Sequence, residues 1–180
     1  MPINDSDWSA QYFESVPCPG HVRVPAADPD AWLWNPRHRW IYNKLEVALS
    51  QGLACGPYGV APPAYPVFSK PIMNLHGMGA DSAVLRSEDA YDRFCRPGHM
   101  WMALLAGEHV STDVALVDGC PQWWRHAVGK PAEEGMFDYW TIYARPFEAI
   151  EAYCGEWLRE NLAGFSGMVN IETIDARIIE

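Results

Sequence analysis

Lys70 ends an apolar run, Pro66-Val67-Phe68-Ser69, and the chain then enters Asn74-Leu75-His76-Gly77-Met78-Gly79. An ammonium fixed beside a glycine-bearing turn, with backbone N–H groups free to approach closely, is an arrangement that holds phosphate. A surface lysine before an ordinary turn accounts for the same residues. Near the other end, a hairpin around Asp175-Ala176 sets Glu172 and Glu180 on adjoining strands. Two carboxylates side by side without a basic partner suit a hard divalent cation that takes phosphate as a co-ligand. A solvated acidic hairpin face is the plainer alternative.

Other chemistries find less support. The five cysteines, Cys18, Cys55, Cys95, Cys120 and Cys154, are scattered, odd in number and never spaced as CxxC, so neither a disulfide framework nor a zinc cage is encoded locally. The six histidines form no HExxH or HxH pair. Trp123-Trp124-Arg125-His126 offers planar faces on which bases stack. Yet 23 acidic residues against 13 Lys plus Arg, a formal charge of -10, oppose any general grip on a nucleic-acid backbone. Core and rim packing explains that cluster better. Ser166 follows a helix and precedes a strand, the reverse of a nucleophile elbow.

The elements that must position these residues read as α+β. With 180 residues, 49% of them hydrophobic, the chain is long enough to bury a sizeable core. Residues 1–39, punctuated by Pro17, Pro19, Pro25, Pro29 and Pro36, read as an irregular arm. Ile41, Leu45, Ala48 and Leu49 predict a helix over 39–51, and a Pro/Gly loop covers 56–66. Residues 66–70 predict a short strand. Ser87 caps a helix that buries Ala90, Tyr91, Phe94 and Cys95. An inner strand follows at 99–105. Val110, Thr112, Val114 and Leu116 then alternate with polar or small neighbours, and Asp118-Gly119 turns the chain back into an antiparallel partner over 122–128. A strand at 139–144, a helix over 147–162 closed by Gly164, and the hairpin 168–174/177–179 complete the order. No stretch approaches the ~20 apolar residues that span a bilayer, and residues 1–20 lack the order of a signal peptide, so a cytoplasmic location is expected.

Taken together, Asn43-Lys44, Pro66-Val67-Phe68-Ser69-Lys70-Pro71 before Gly77-Met78-Gly79, Gly107-Glu108-His109-Val110-Ser111-Thr112-Asp113 ahead of Asp118-Gly119, and Gly167-Met168-Val169-Asn170-Ile171-Glu172 closing with Ile178-Ile179-Glu180 resemble the ATP-grasp superfamily, in particular the ATP-binding domain of glutathione synthetase. The resemblance runs from about Lys44 to Glu180. It implies ATP and magnesium held between two lobes with mainly antiparallel sheets, a smaller one over 40–105 and a larger one over 106–180 with the metal site. The implied reaction is phosphorylation of a small-molecule carboxylate, with an amine or thiol then displacing phosphate. By position, Lys44 and Lys70 resemble the phosphate-facing lysines, and Asn74, His76, Gly77 and Gly79 the loop that folds over the phosphates. Met102, Leu104 and Leu105 resemble the adenine-reading strand, and Glu172 and Glu180 the metal acids. Phosphoryl transfer mainly needs positioning and charge neutralisation, which agrees with lysines and paired acids.

The chain departs from the family pattern at several points. Met102 stands where an acid is common, so an adenine contact there uses main chain. His109 stands in place of a ribose-binding Glu, and Asn170 in place of a basic residue. Arg125 is the candidate for the missing cation in catalysis. The sequence stops at Glu180, where relatives continue with a further ligand, and its first 39 residues are too short for the substrate domain that commonly precedes the grasp, so truncation at both ends is expected. A noncatalytic module that senses nucleotide or presents an interaction surface is the alternative reading. An unpaired sheet edge at Glu180 leads to the expectation of a homodimer.

Overall fold

The computed structural model describes Ile3–Asn4, Arg23–Val24 and residues 28–75, 79–132 and 137–180. The chain divides into two compact units, Met1–Arg39 and Trp40–Glu180. In the first, strands β1 (Ile3–Asn4) and β2 (Arg23–Val24) pair in parallel, and helix α1 spans Asp28–Trp34. A 3-10 turn covers Pro36–Tyr42. Residues 28–34 and 36–39 of the expected irregular arm are therefore helical. Pro29 sits in the first turn of α1, where a helix has spare N–H groups and a missing donor costs nothing, and Asp28 and Asp30 complement the positive end of the dipole. Arg39 closes the other end: its Nε donates to the Trp32 carbonyl (2.6 Å), its Nη2 to the Leu33 carbonyl (3.1 Å), and its guanidinium lies 3.9 Å from the Trp32 ring.

The second unit carries α2 (Lys44–Ser50), β3 (Cys55–Pro57), β4 (Val67–Pro71), β5 (Ala83–Leu85), α3 (Glu88–Phe94) and β6 (His99–Ala103). Then follow β7 (His109–Val117), β8 (Cys120–Pro131), β9 (Phe137–Tyr143), α4 (Glu148–Asn161), β10 (Gly167–Ile174) and β11 (Arg177–Ile178). Two antiparallel sheets result, one in the order β3-β6-β4-β5 and the other β11-β10-β7-β8-β9. The fold is α+β.

The helix expected over 39–51 starts later because the Asn43 side chain accepts from the N–H groups of Leu45 and Glu46. Its backbone at φ -86°, ψ 96° breaks the path from the preceding turn. The three-residue strand β3 overlaps the segment read as a Pro/Gly loop, and β5 lies where no element was expected. They carry too few residues to show a period and exist because β6 and β4 offer them an edge. Asp118 and Gly119 (φ 51° and 75°) and Asp175 and Ala176 (φ 51° and 55°) form the two tight turns at their expected places.

Both faces of the first sheet are covered. Val67, Leu85, Tyr91, Cys95 and Trp101 pack on the α3 side, and Ala48, Met100 and Met102 on the α2 side. On the second sheet one face packs against α4: Val110, Val114, Leu116, Ile171 and Ile178 meet Ile150, Cys154, Trp157, Leu158 and Leu162. The other face carries Ser111, Asp113, Arg125, Asn170 and Glu172. Helix α2 belongs to both cores, since Val47 joins the α4 cluster while its neighbour Ala48 joins the Met100 cluster. Adjacent helical residues point about 100° apart, so α2 is a wedge between the sheets. Lys44, one turn before this pair, enters the same seam.

Candidate functional site

Strand alternation sets Lys70 on the same face of β4 as Phe68, toward α2, and the two lysines meet there. The Lys44 N–H donates to the Ile72 carbonyl (2.9 Å), which draws the start of α2 against the end of β4. Both side chains are buried, Lys44 at 5% and Lys70 at 4% exposure. Lysine is almost never this buried without a partner. Here the partners come from the far end of the chain: Lys44 Nζ lies 2.7 Å from Glu180 Oε2, and Lys70 Nζ donates to the Ile179 carbonyl. Burial, with the Lys44 charge alongside, pushes the Lys70 ammonium down to about 8, against the opposing pull of Glu180 and Glu172.

Glu172 stands on β10 opposite Ser111, on the open face of the second sheet. Its carboxylate accepts from His109 Nε2 at 3.0 Å. Burial raises its proton affinity, but the His109 bond and charge, with Lys44 and Lys70, more than offset this and hold the group below the usual carboxylate value. The backbones of Glu172 and Glu180 are bonded directly, Glu172 N–H to the Glu180 carbonyl at 2.8 Å. Lys44, Lys70, Glu172 and Glu180 therefore converge on one seam. Among the described residues there is no cluster of three or more His, Cys, Asp or Glu suited to a metal. Nor are the two acids without basic partners as expected, since Glu180 is paired with Lys44 and Glu172 with His109. Their oxygens suit magnesium, which keeps several waters and takes one or two acids plus substrate phosphates, once Lys44 exchanges Glu180 for a phosphate.

The remaining candidates are spread around this seam. His109 is not free to face a sugar alone: besides Glu172 it meets Phe137 and Trp140 edge-on, at ring separations of 4.8 and 5.8 Å. Gly129 lies beneath those rings, and a side chain there would collide with Phe137. Asn170 Nδ2 donates to Ser111 Oγ and Asp113 Oδ1, both at 2.9 Å. Arg125 lies across β7–β8 from Asp113, its guanidinium 5.2 Å from the Trp123 ring. Met102 is 2% exposed and lies between Cys55 and Phe68 inside the ladder. Leu104 and Leu105 follow β6 beyond its last residue, Leu104 at 39% exposure and Leu105 packed on the Met100 cluster. Asn74 borders a hollow of about 320 Å³ shared with Asp81, Arg96 and His99. Gly79 turns at φ 57°, while His76 and Gly77 lie outside the described residues.

No family model and no curated protein matches the sequence. Solved structures do match. The crystal structure of L-amino acid ligase from Bacillus licheniformis superposes with a TM-score of 0.59 at 15% identity, over 96% of this chain and 45% of that one. The ATP-grasp ligase PsnB, complexed with a phosphomimetic variant of its minimal precursor, Mg and ADP, matches with a TM-score of 0.50 at 12% identity, over 88% of this chain and 52% of that one. The fold is that of the ATP-grasp ligases. The chain spans about half the length of each of these two solved structures. Among the described residues no helix is long and apolar enough to cross a membrane.

Two features of this ATP-grasp fold were not read from the sequence. The pairing of His109 with Glu172 follows from antiparallel register, which sets Ile174 opposite His109 and so brings Glu172 within reach on the same face. The second is Gln51, which covers the sheet edge at Ile178.

Proposed function

We propose that the chain binds Mg-ATP as an ATP-grasp domain and serves an ATP-dependent ligase that joins a small-molecule carboxylate to an amine or thiol. The observation that carries this reading is the convergence of two buried lysines and two carboxylates on the seam between the sheets. Lys44 and Lys70 hold two cations in a place where, among the described residues, Glu172 and the segment 179–180 balance them. A polyphosphate supplies stronger partners for both. Glu172 on β10 and Glu180, two residues past the end of β11, hold the metal, and bound magnesium neutralises phosphate charge. Leu104 and Leu105, past the end of β6, border the base through their main chain, and Asn74 and Gly79 lie toward the phosphates. Arg125, on the open face with Asp113, faces the reacting groups. In this reading the sheet of β3–β6 and its helices form the smaller lobe, and the sheet of β7–β11 with α4 the larger. The site serves a cytoplasmic supply of ATP.

The test is thermal unfolding with and without Mg-ATP. A ligand at 100 times its dissociation constant adds ~2.7 kcal/mol of stability. No shift at millimolar Mg-ATP removes the binding claim. A shift accompanied by ADP release with candidate acids and amines supports the ligase, whereas a shift without turnover across such a panel assigns nucleotide sensing instead.

A further inference from the structure

Three successive residues at the end of the chain are each gripped by a different side chain: Ile178 by Gln51, Ile179 by Lys70 and Glu180 by Lys44. The first grip is of a different kind from the others. Strand β11 is the edge of its sheet, and Ile179 turns its N–H inward to the Glu172 carbonyl (2.8 Å). Alternation then points both backbone groups of Ile178 outward. Gln51, the C-terminal cap of α2, meets both: its Nε2 donates to the Ile178 carbonyl and its Oε1 accepts from the Ile178 N–H, each at 2.8 Å. One carboxamide thus takes the place of a neighbouring strand. Its remaining capacity is used as well, because Nε2 also donates to the Val47 carbonyl (2.9 Å) and Oε1 accepts from the Tyr153 hydroxyl (3.1 Å). An amide side chain with all of these bonds made is held in a single orientation.

Gln51 and Lys44 flank the two ends of α2, so the tail is fastened to this helix twice, by a neutral clamp at Ile178 and an ion pair at Glu180. We infer that Gln51 is a positioning residue for the magnesium–nucleotide site: it holds β11, and through it Glu180, in place when Lys44 leaves Glu180 for a phosphate. The inference rests on the Mg-ATP reading above. With the ion pair exchanged, the neutral clamp is the polar side-chain link that still joins the tail to α2 among the described residues, beside the apolar packing of Ile178 with the Val47 cluster and of Ile179 on the Ala48 cluster, and its importance is greatest in the loaded state.

Gln51→Met keeps the length of the side chain and removes its hydrogen bonds. Hydrogen exchange at the Ile178 amide accelerates at least about tenfold, while the buried amides of α4 keep the parent rate. In nucleotide-dependent thermal shifts, the half-saturating magnesium concentration rises about tenfold and the affinity for metal-free nucleotide stays within about twofold, the loss of one to two net hydrogen bonds. Tyr153→Phe removes one bond to the same Gln51 oxygen but leaves the Ile178 clamp, and its magnesium dependence matches the parent. If Gln51→Met does not fold, the comparison is read from Gln51→Glu, which keeps both acceptor roles but turns a carboxylate on the Ile178 carbonyl. Unchanged exchange at Ile178, or an equal loss of metal-free and magnesium-dependent affinity, overturns the role of Gln51. A parent protein with no nucleotide shift removes the site itself, a result distinguishable from either.

Discussion

Lys70 carries a stability cost that its removal should reveal. Lowering its proton affinity from 10.5 to about 8 corresponds to about 3 kcal/mol of native-state penalty on the charged ammonium. Lys70→Met abolishes that penalty but leaves the Ile179 carbonyl without its donor, which costs about 1 kcal/mol. The variant is therefore expected to be more stable than the parent by about 2 kcal/mol at pH 7, or about 4–8 °C in Tm. The sign of the pH dependence follows from linkage. Below about pH 8 both folded and unfolded chains hold the proton and the penalty is constant. Between there and 10.5 the native state releases its proton first, so the parent gains stability as pH rises. The advantage of Lys70→Met should fall through this window and reverse by about 1 kcal/mol above it. Urea unfolding of both proteins at about pH 7, 9 and 10.5 measures the difference, in which tyrosine and cysteine titrations cancel. A variant less stable at neutral pH, or a difference that does not change with pH, refutes the account of a buried, half-compensated ammonium. Nucleotide binding should weaken in the same variant, as expected where a functional group is retained at the expense of stability.

Glu172→Gln tests the opposite sign. A carboxylate held below its usual value adds stability that is present above the ordinary carboxylate range and lost as pH falls through the native value. The parent's advantage over this variant should therefore shrink on acidification, and acid titrations followed by circular dichroism that run parallel would contradict it. Gly119→Ala is expected to cost about 1–3 kcal/mol in chemical denaturation. Its φ of 75° disfavours a side chain, and a Cβ would sit 2.8 Å from the Leu162 carbonyl oxygen. A loss below a few tenths of a kcal/mol would show that the turn relaxes.

Much of the scaffold was legible because its signals are local. Asp118-Gly119 and Asp175-Ala176 specify tight turns by their tolerance of positive φ, whatever surrounds them. Ile150, Cys154, Trp157 and Leu158 recur at helical spacing, and Val110, Thr112, Val114 and Leu116 at strand spacing, so the buried faces of α4 and β7 follow from period alone. The same alternation sets Lys70 with Phe68 and Glu172 with Asn170. What those faces meet is not local. The pentad ending in Lys70 does not say whether its ammonium lies in water or in a seam. That depends on α2 wedging between two sheets and on a tail more than a hundred residues away returning beside it. Nor does Gln51, an ordinary residue before a glycine, reveal that its amide will close a distant strand edge. Short strands such as β3 and β5 belong to the same class, since they are strands only because β6 and β4 present hydrogen-bonding edges. Sequence by itself determined the turns, the periods and therefore which side chains share a face. Tertiary structure alone decided which cations became buried and which acids and carbonyls balance them, because desolvation and ion pairing depend on contacts between segments remote in the chain.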